Sequence, residues 1–435
     1  MLDIQIIRDD PAKVRDLARA KNVDVPIDDI LRLDKSRRDT IRQVEDLKAR
    51  RNEGSRLVGR TSDADERSRL IAEMKELGDD IAELDGTVRE TDAQLHDLML
   101  GVPNLPDPEV PVGPDAAANE IVAVHGAAPT FAFTPKPHWD LAEALGIIDF
   151  ERGIKIAGTR GFVLRGDGAR LQRALVAWML DVHIQRHGYS EVIPPHLVLG
   201  EMLVGTGNLP KFTNTLYRDI EEDKWLIPTA EVPITNLYRD EILDGSVLPI
   251  YHVAATQCFR REQISAGRDV RGITRVFEFQ KVEMVKFSHP DHSERELQRL
   301  LDEACYVVSE LGLPYRILNL STGDMTFSAA QTFDIETWAA GSDEWLEISS
   351  CSLFRDFQAR RANLRFREEG GGRPQFLHTL NGSGLALPRT IIAILEHYQR
   401  EDGTVGIPDI LRPYMGGQAV IGKQPPLGPA ISKRS

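Results

Sequence analysis

The feature that most constrains this chain is a run of apolar residues spaced at alternating steps of four and three. From Leu70 it continues through Met74, Leu77, Ile81, Leu84, Val88, Leu95 and Leu98, with Thr91 filling the skipped position. That spacing is an a/d heptad seam held over about four heptads, and it suits a helix that lays one narrow stripe against a partner helix. The partner precedes it. A looser stripe at Ile30, Leu33, Ile41, Val44 and Leu47 predicts a helix over about residues 27–57. Gly54, Gly59, Thr61, Ser62 and Asp63 read as the turn between them, with Ser62 or Asp63 capping the second helix. Two such helices fold back as an antiparallel hairpin, each arm about 45 Å long at 1.5 Å per residue.

Charge on the hairpin is uneven. From Arg32 to Arg60 there are ten Lys or Arg against five Asp or Glu, and the second helix reverses the balance. Positive charge gathers toward the tip at Arg50, Arg51, Arg56, Arg60, Arg67 and Arg69. The whole chain carries a net charge of −14, which argues against non-specific nucleic-acid binding but leaves room for a local basic surface. By itself the pattern fits a solvated coiled-coil face as well as a nucleic-acid contact.

Residues 101–115 hold five prolines and read as a linker between an N-terminal domain (1–100, with the helical arm over about 27–100) and a larger one. Over residues 116–417 the pattern is α+β. Helices are expected at Ala169–Arg186 and Arg389–Arg400, and strands at Tyr189–Ile193, Trp225–Ile227, His252–Gln257, Arg275–Val285, Tyr315–Leu320 and Trp345–Ser349. Strands outnumber connecting helices, so a mostly antiparallel sheet is expected. Residues 418–435 read as a loosely held tail. The three cysteines are odd in number and widely spaced, which predicts buried small hydrophobes rather than disulfides or zinc. No apolar window approaches about 18 residues, and the N-terminus lacks a secretory pattern, so a cytoplasmic protein that does not span a membrane is expected.

No G-x-x-x-x-G-K-[ST] loop, G-x-G-x-x-G turn or H-E-x-x-H helix occurs. Four other segments carry chemistry. Cys258–Glu283 reads as strand, polar loop, strand; alternation on the second strand sets Arg275, Phe277, Phe279, Lys281 and Glu283 on one face. A guanidinium, aromatic rings and a carboxylate in a row are groups that a nucleotide needs. Asn381-Gly-Ser-Gly-Leu-Ala-Leu-Pro-Arg389 reads as a glycine-rich turn before a helix. An arginine near a helix start opposes the dipole, which points to an anion as its partner. Thr229-Ala230-Glu231, between Pro228 and Pro233, presents a hydroxyl and a carboxylate, and equally suits a capped helix start. Glu347-Ile-Ser-Ser-Cys-Ser352 ends a strand with alternating polar groups, and no motif supplies a histidine to make Ser349 or Cys351 a nucleophile.

In this order the segments resemble the seryl-tRNA synthetase family, over essentially the whole chain. Gly188–Pro195 is similar to class II motif 1, which builds a dimer interface; Cys258–Glu283 is similar to motif 2 and Asn381–Arg389 to motif 3. Thr-Ala-Glu, Ser-Ala-Gly-Arg-Asp, Glu-Ile-Ser-Ser-Cys-Ser and the helical hairpin are specific to the seryl branch. The resemblance implies a class II antiparallel sheet and a homodimer. It implies the ligation of L-serine to serine tRNA, and by family to selenocysteine tRNA, through a seryl-adenylate made from ATP. Arg260, Arg261, Glu262, Arg275, Val276, Phe279, Glu347, Ile348, Ser349, Ser350 and Arg389 are then expected at ATP, with Phe279 stacked on adenine. Glu347 and Ser350 are expected to hold Mg2+. Thr229, Ala230, Glu231, Arg260, Glu283, Asn381 and Ser383 are expected at serine. Arg260, Glu262, Arg275 and Arg389 carry catalysis, and Arg50, Arg51, Arg56 and Arg60 on the arm meet the tRNA's long variable arm.

Several positions depart from the family pattern: Gln263-Ile264, Phe277-Glu278, Gln331, Leu353 and Arg355. None removes a residue assigned to ATP or serine. Two other readings compete. A paralogue loading a carrier protein tends to lose the arm, which here is complete. A non-catalytic RNA-binding regulator predicts erosion at Arg260, Glu262, Glu283 or Arg389, and all four are intact.

Overall fold

The computed structural model describes residues 1–262 and 271–425. The departures at Gln263-Ile264, the Ser265–Asp269 run and the end of the tail lie outside the described residues. The chain forms two compact units, Met1–Pro103 and Asn104–Ser435.

In the first unit, α1 (Ile4–Asp9) and α2 (Pro11–Ala20) precede two long helices, α3 (Ile27–Arg60) and α4 (Ala64–Leu100). At 34 and 37 residues the long helices are each about 50–55 Å in length. All eight seam positions of α4 are buried or half-buried, with Leu77, Ile81 and Leu95 the deepest. Asp63 caps α4, its carboxylate accepting from the amides of Asp65 and Glu66. The turn is shorter than the sequence suggests. Gly54 and Gly59 lie inside α3, and Gly54 is there for contact: a Cβ on it would stand 2.3 Å from Met74 Sδ. Toward the base of the hairpin the basic residues are paired, as in Arg37–Asp92, Arg38–Asp34 and Lys48–Asp85. Toward the tip, Arg50, Arg56 and Arg60 are exposed and Arg51 half-exposed, without ion pairs among the described residues.

The second unit is built on an eight-stranded sheet. In chain order its strands are β1 (Glu120–His125), β2 (Ser190–Glu191), β3 (Ile250–Phe259), β4 (Glu278–Ser288), β5 (Tyr315–Asn319), β6 (Gln331–Ala339), β7 (Glu344–Arg355) and β8 (His378–Ala386). Their order across the sheet is β1-β5-β6-β7-β8-β4-β3-β2, antiparallel except for the β2–β3 edge. Helices α5 (Asp167–Gln185), α6 (Ser293–Glu310) and α7 (Leu387–His397) back it, and one large apolar cluster joins their inner faces to Val282, Met284, Cys351 and Leu380. Residues 104–115 pack on this unit: the Asn104 amide donates to the carbonyls of Ser328 and Phe354, and Asp107 pairs with Arg355 at 2.6 Å.

Three sequence expectations change. Asn381–Ala386 is a central strand rather than a turn. Its glycines make room behind the sheet, since a Cβ on Gly382 would press on Leu300 of α6 and one on Gly384 on His183 of α5. The strand expected from Arg275 begins at Glu278, so Phe277 leaves the face it was assigned to. Strand β6 goes unread in the sequence; its register against β7 shifts between Ile335 and Glu336, where Ile348 of β7 is the extra residue.

The back of β4 is held by a buried charge network. Lys286 has no exposed surface; its ammonium lies 3.3 Å from Glu296 and 3.1 Å from Glu303 of α6. Tyr251 of β3 donates to Glu296, and Tyr189, just ahead of β2, donates to Glu303. Burial pushes the Lys286 pKa down, against the pull of the two carboxylates. Removing one member of such a set strands the opposite charges. Lys286→Met is therefore expected to lower unfolding stability by about 3–5 kcal/mol, checked by chemical denaturation against the wild type.

Candidate active site

The front face of the sheet is a floor of alternating side chains. Strand β4 contributes Phe279, Lys281 and Glu283; β8 contributes Asn381, Ser383 and Ala386; β7 contributes Ile348, Ser350 and Ser352. A cavity of about 250 Å³ stands on this floor. Walls come from the Thr229–Glu231 segment, the Thr206–Phe212 loop, and Arg260 and Glu262 at the end of β3.

At one end lies a pair of carboxylates. Glu283 is fully buried, and its oxygens are taken by Lys281 Nζ, the Thr229 hydroxyl at 3.0 Å and the Asn381 amide at 2.6 Å. Glu231 accepts from Gln358 at 2.6 Å and from the same Asn381 amide at 3.2 Å. Burial, with Glu283 close by, pushes the Glu231 pKa up to about 7. The Thr229 hydroxyl also accepts from the Glu231 amide, at 3.3 Å, just ahead of the short helix Glu231–Thr235; the N-cap position of that helix is Ala230, which makes no side-chain cap bond, so the capped helix start is not formed.

Toward the other end the groups are cationic and aromatic. The Arg260 guanidinium lies 5.2 Å from the centre of the Phe279 ring and donates to the Pro228 carbonyl. Arg275 lies 3.7 Å from Glu262. Arg389, in the first turn of α7, reaches Glu347 at 3.1 Å and its carbonyl at 2.7 Å. Ser350 pairs across the sheet with Asp334 of β6, whose Oδ1 is buried without a hydrogen-bond partner among the described residues. Burial and the neighbouring Glu347 push Asp334 well above the usual carboxylate range.

Of the residues expected from sequence, the cavity brings together Thr229, Glu231, Arg260, Glu262, Arg275, Val276, Phe279, Glu283, Glu347, Ile348, Ser350, Asn381, Ser383 and Arg389. It leaves out three. Ala230 points into a separate apolar cluster. Arg261 sits near Tyr217, its amide bonded to Thr215. Ser349 has the opposite strand parity to Ser350 and donates to the Ser383 carbonyl at 2.6 Å. Phe277 lines a neighbouring depression instead. Sequence reasoning passed over Lys281 as a site residue, as well as Asn208, Phe212 and Asp334. Only Lys281 had a signal, its place between Phe279 and Glu283 on the alternating face.

A sheet-floored cavity with arginines from the ends of β3 and α7 is the arrangement of a class II aminoacyl-tRNA synthetase, and residues 212–398 match the family model described as the tRNA synthetase class II core domain (G, H, P, S and T). Residues 1–106 match the seryl-tRNA synthetase N-terminal domain. The chain is 60% identical to the serine--tRNA ligase of Thermomicrobium roseum over 98% of its own length and 96% of that protein's. It is 54% identical to that of Herpetosiphon aurantiacus over 97% and 100%. Among solved structures, seryl-tRNA synthetase from Pyrococcus horikoshii complexed with ATP superposes with a TM-score of 0.92 at 34% identity, covering 98% of this chain and 100% of that one. The chain belongs to the seryl-tRNA synthetase family.

The carboxylate pair depends on one amide. Asn381→Ala removes the donor that Glu283 and Glu231 share and leaves buried oxygens unsatisfied. It is expected to destabilise the protein by about 1–3 kcal/mol, read as a lowered denaturation midpoint.

Proposed function

We propose that this protein joins L-serine to serine tRNA in two steps, with ATP as the energy source. The observation that carries the reading is the polarity of the cavity: a buried carboxylate pair at one end, and an aromatic ring with three arginines toward the other. Serine is placed with its ammonium on Glu283 and Glu231, its hydroxyl among Thr229, Asn381 and Ser383, and its carboxylate toward Arg260. ATP is placed with adenine on Phe279, its amino group on Glu262, and its phosphates on Arg260, Arg275 and Arg389. ATP carries Mg2+ on its phosphate oxygens, and the donor set at this end suits a hard cation. The hydroxyl of Ser350 and the carboxylate of Glu347 would hold it, beside the unpartnered oxygen of Asp334. When bound, Mg2+ neutralises phosphate charge.

In the first step a serine carboxylate oxygen attacks the α-phosphorus and the bond to the pyrophosphate oxygen breaks. The residues position the pair and balance charge, with no general base needed. In the second, the 3′-hydroxyl of the tRNA attacks the adenylate carbonyl, AMP leaves, and the hydroxyl proton passes to solvent or phosphate. Hydrogen-bonding the serine hydroxyl disfavours alanine, because the pocket's polar groups would then stay unpaired. The helical hairpin is assigned to the long variable arm of the tRNA. Unpaired arginines gathered at its tip support that assignment. A cytoplasmic homodimer joined through the Gly188–Pro195 region follows from the family resemblance. Among the described residues no helix is long and apolar enough to cross a membrane.

Serine-dependent ATP–pyrophosphate exchange, set against threonine, alanine and cysteine and followed by transfer to serine tRNA, tests the reading. Exchange without transfer moves the chain to a carrier-loading paralogue; no exchange with any amino acid leaves an RNA-binding protein. Two predictions go further. Below about pH 7 Glu231 holds a proton, and above it the ionised carboxylate adds attraction for the ammonium. The KM for serine therefore falls as pH rises through about 7, and Glu231→Gln removes that inflection. Replacing Arg50, Arg51, Arg56 and Arg60 together by alanine is expected to raise the KM for tRNA about tenfold or more. It also reduces the salt dependence of tRNA binding by about 0.7–0.9 in log–log slope per lost phosphate contact, with pyrophosphate exchange unchanged.

A further inference from the structure

Lys281 has no part in the assignments above, yet it lies at their centre. It stands on β4 between Phe279 and Glu283, and strand alternation turns all three to the cavity. Only 8% of its side chain is exposed, and its ammonium is bonded to Glu283 Oε2. That oxygen also accepts from Thr229, while Asn381 occupies Oε1. The carboxylate that an amino acid's ammonium would seek is thus already neutralised from within the chain.

A second ammonium cannot simply be added there. Two positive charges crowded onto one carboxylate in a partly buried site repel each other strongly. An arriving ammonium therefore displaces the first. The cross-strand neighbours of Lys281 are Thr256 of β3 and Ala386 of β8, and farther along β4 lies Phe279 with Arg260 over the ring. That is the stretch where a carboxylate joined to a phosphate would lie, between the carboxylate pair and the aromatic ring.

We propose that Lys281 is an exchangeable internal cation. It fills the ammonium position while the cavity is empty, yields Glu283 to the amino acid, and turns to the anionic carboxylate–phosphate junction. The exchange avoids leaving a fully buried carboxylate without a counter-charge at any stage. It also couples the two ligands: the amino acid releases a cation that the nucleotide then uses, so each tightens the other. The proposal rests on the reading of the cavity as an amino-acid-activating site.

The test is calorimetric binding to the full chain of serine, of the non-reactive α,β-methylene analogue of ATP, and of each in the presence of the other. Wild type is expected to show mutual tightening of about tenfold, within the usual range for coupled sites. Lys281→Met is expected to bind serine alone as tightly as wild type or tighter, since a competing cation is gone, and to show less than about twofold coupling. Lys281→Arg keeps the charge and is expected to keep most of the coupling. Weaker binding of serine alone by Lys281→Met, with coupling intact, would overturn the proposal and leave the lysine as a structural partner of Glu283. Equal loss of coupling in the Met and Arg variants would overturn it too. Should Lys281→Met fail to fold by circular dichroism, the Arg variant decides, retained coupling supporting the charge and lost coupling refuting it. Wild type that binds neither serine nor the analogue would instead refute the activating-site reading itself.

Discussion

A carboxylate with no exposed surface needs a full set of partners, and the catalytic unit is arranged so that Glu283 has one. Its hydrogen bonds come from its own strand through Lys281, from the adjacent strand through Asn381, and from the Thr229 segment that walls the cavity. An unpaired charge at such depth would be strongly destabilising, so a partner can leave only where another takes its place. The same requirement orders Glu231, because Asn381 serves both carboxylates. The back of β4 is fixed by the same physics, with Lys286 held between two glutamates of α6. One strand thus carries a buried ionic network on each face, and the sheet between them becomes a rigid floor.

A separation of charge along the cavity follows from that floor. Carboxylates gather at one end of the cavity and arginines at the other, with Lys281 and Phe279 on the strand between them. Site groups carried by strands, and by a helix start, are better fixed than groups on loops. Arg389 illustrates this. It occupies the first turn of α7, where the dipole disfavours a cation, and there it pairs with Glu347 beside the cavity.

Much of this was legible in the residues, and where it was not the reasons are physical. The hairpin was legible because a heptad seam admits few other solutions, and Asp63 caps α4 as its position suggests. Phe279 and Glu283 were legible through period-two alternation. Alternation fails where the backbone departs from it: Phe277 falls before β4 begins, and the extra residue Ile348 interrupts the pairing of β7 with β6. Glycines misled twice. Gly54 and Gly384 looked like turn residues but allow close approach, to Met74 in one case and to His183 in the other. Ser349 and Arg261 each adjoin a site residue in sequence and, as neighbours on an extended chain do, point elsewhere. Lys281 was set on the correct face by alternation, but its bond to the buried Glu283 becomes visible only in the folded structure.

The most direct test of the account is a crystal structure with 5′-O-(N-seryl)sulfamoyladenosine, a non-hydrolysable mimic of seryl-adenylate. The account predicts adenine stacked on Phe279, the ammonium on Glu283 and Glu231, and Lys281 moved from Glu283 to the sulfamoyl group that stands for the phosphate. A mimic bound with its ammonium away from both carboxylates, or with its base away from Phe279, would contradict it.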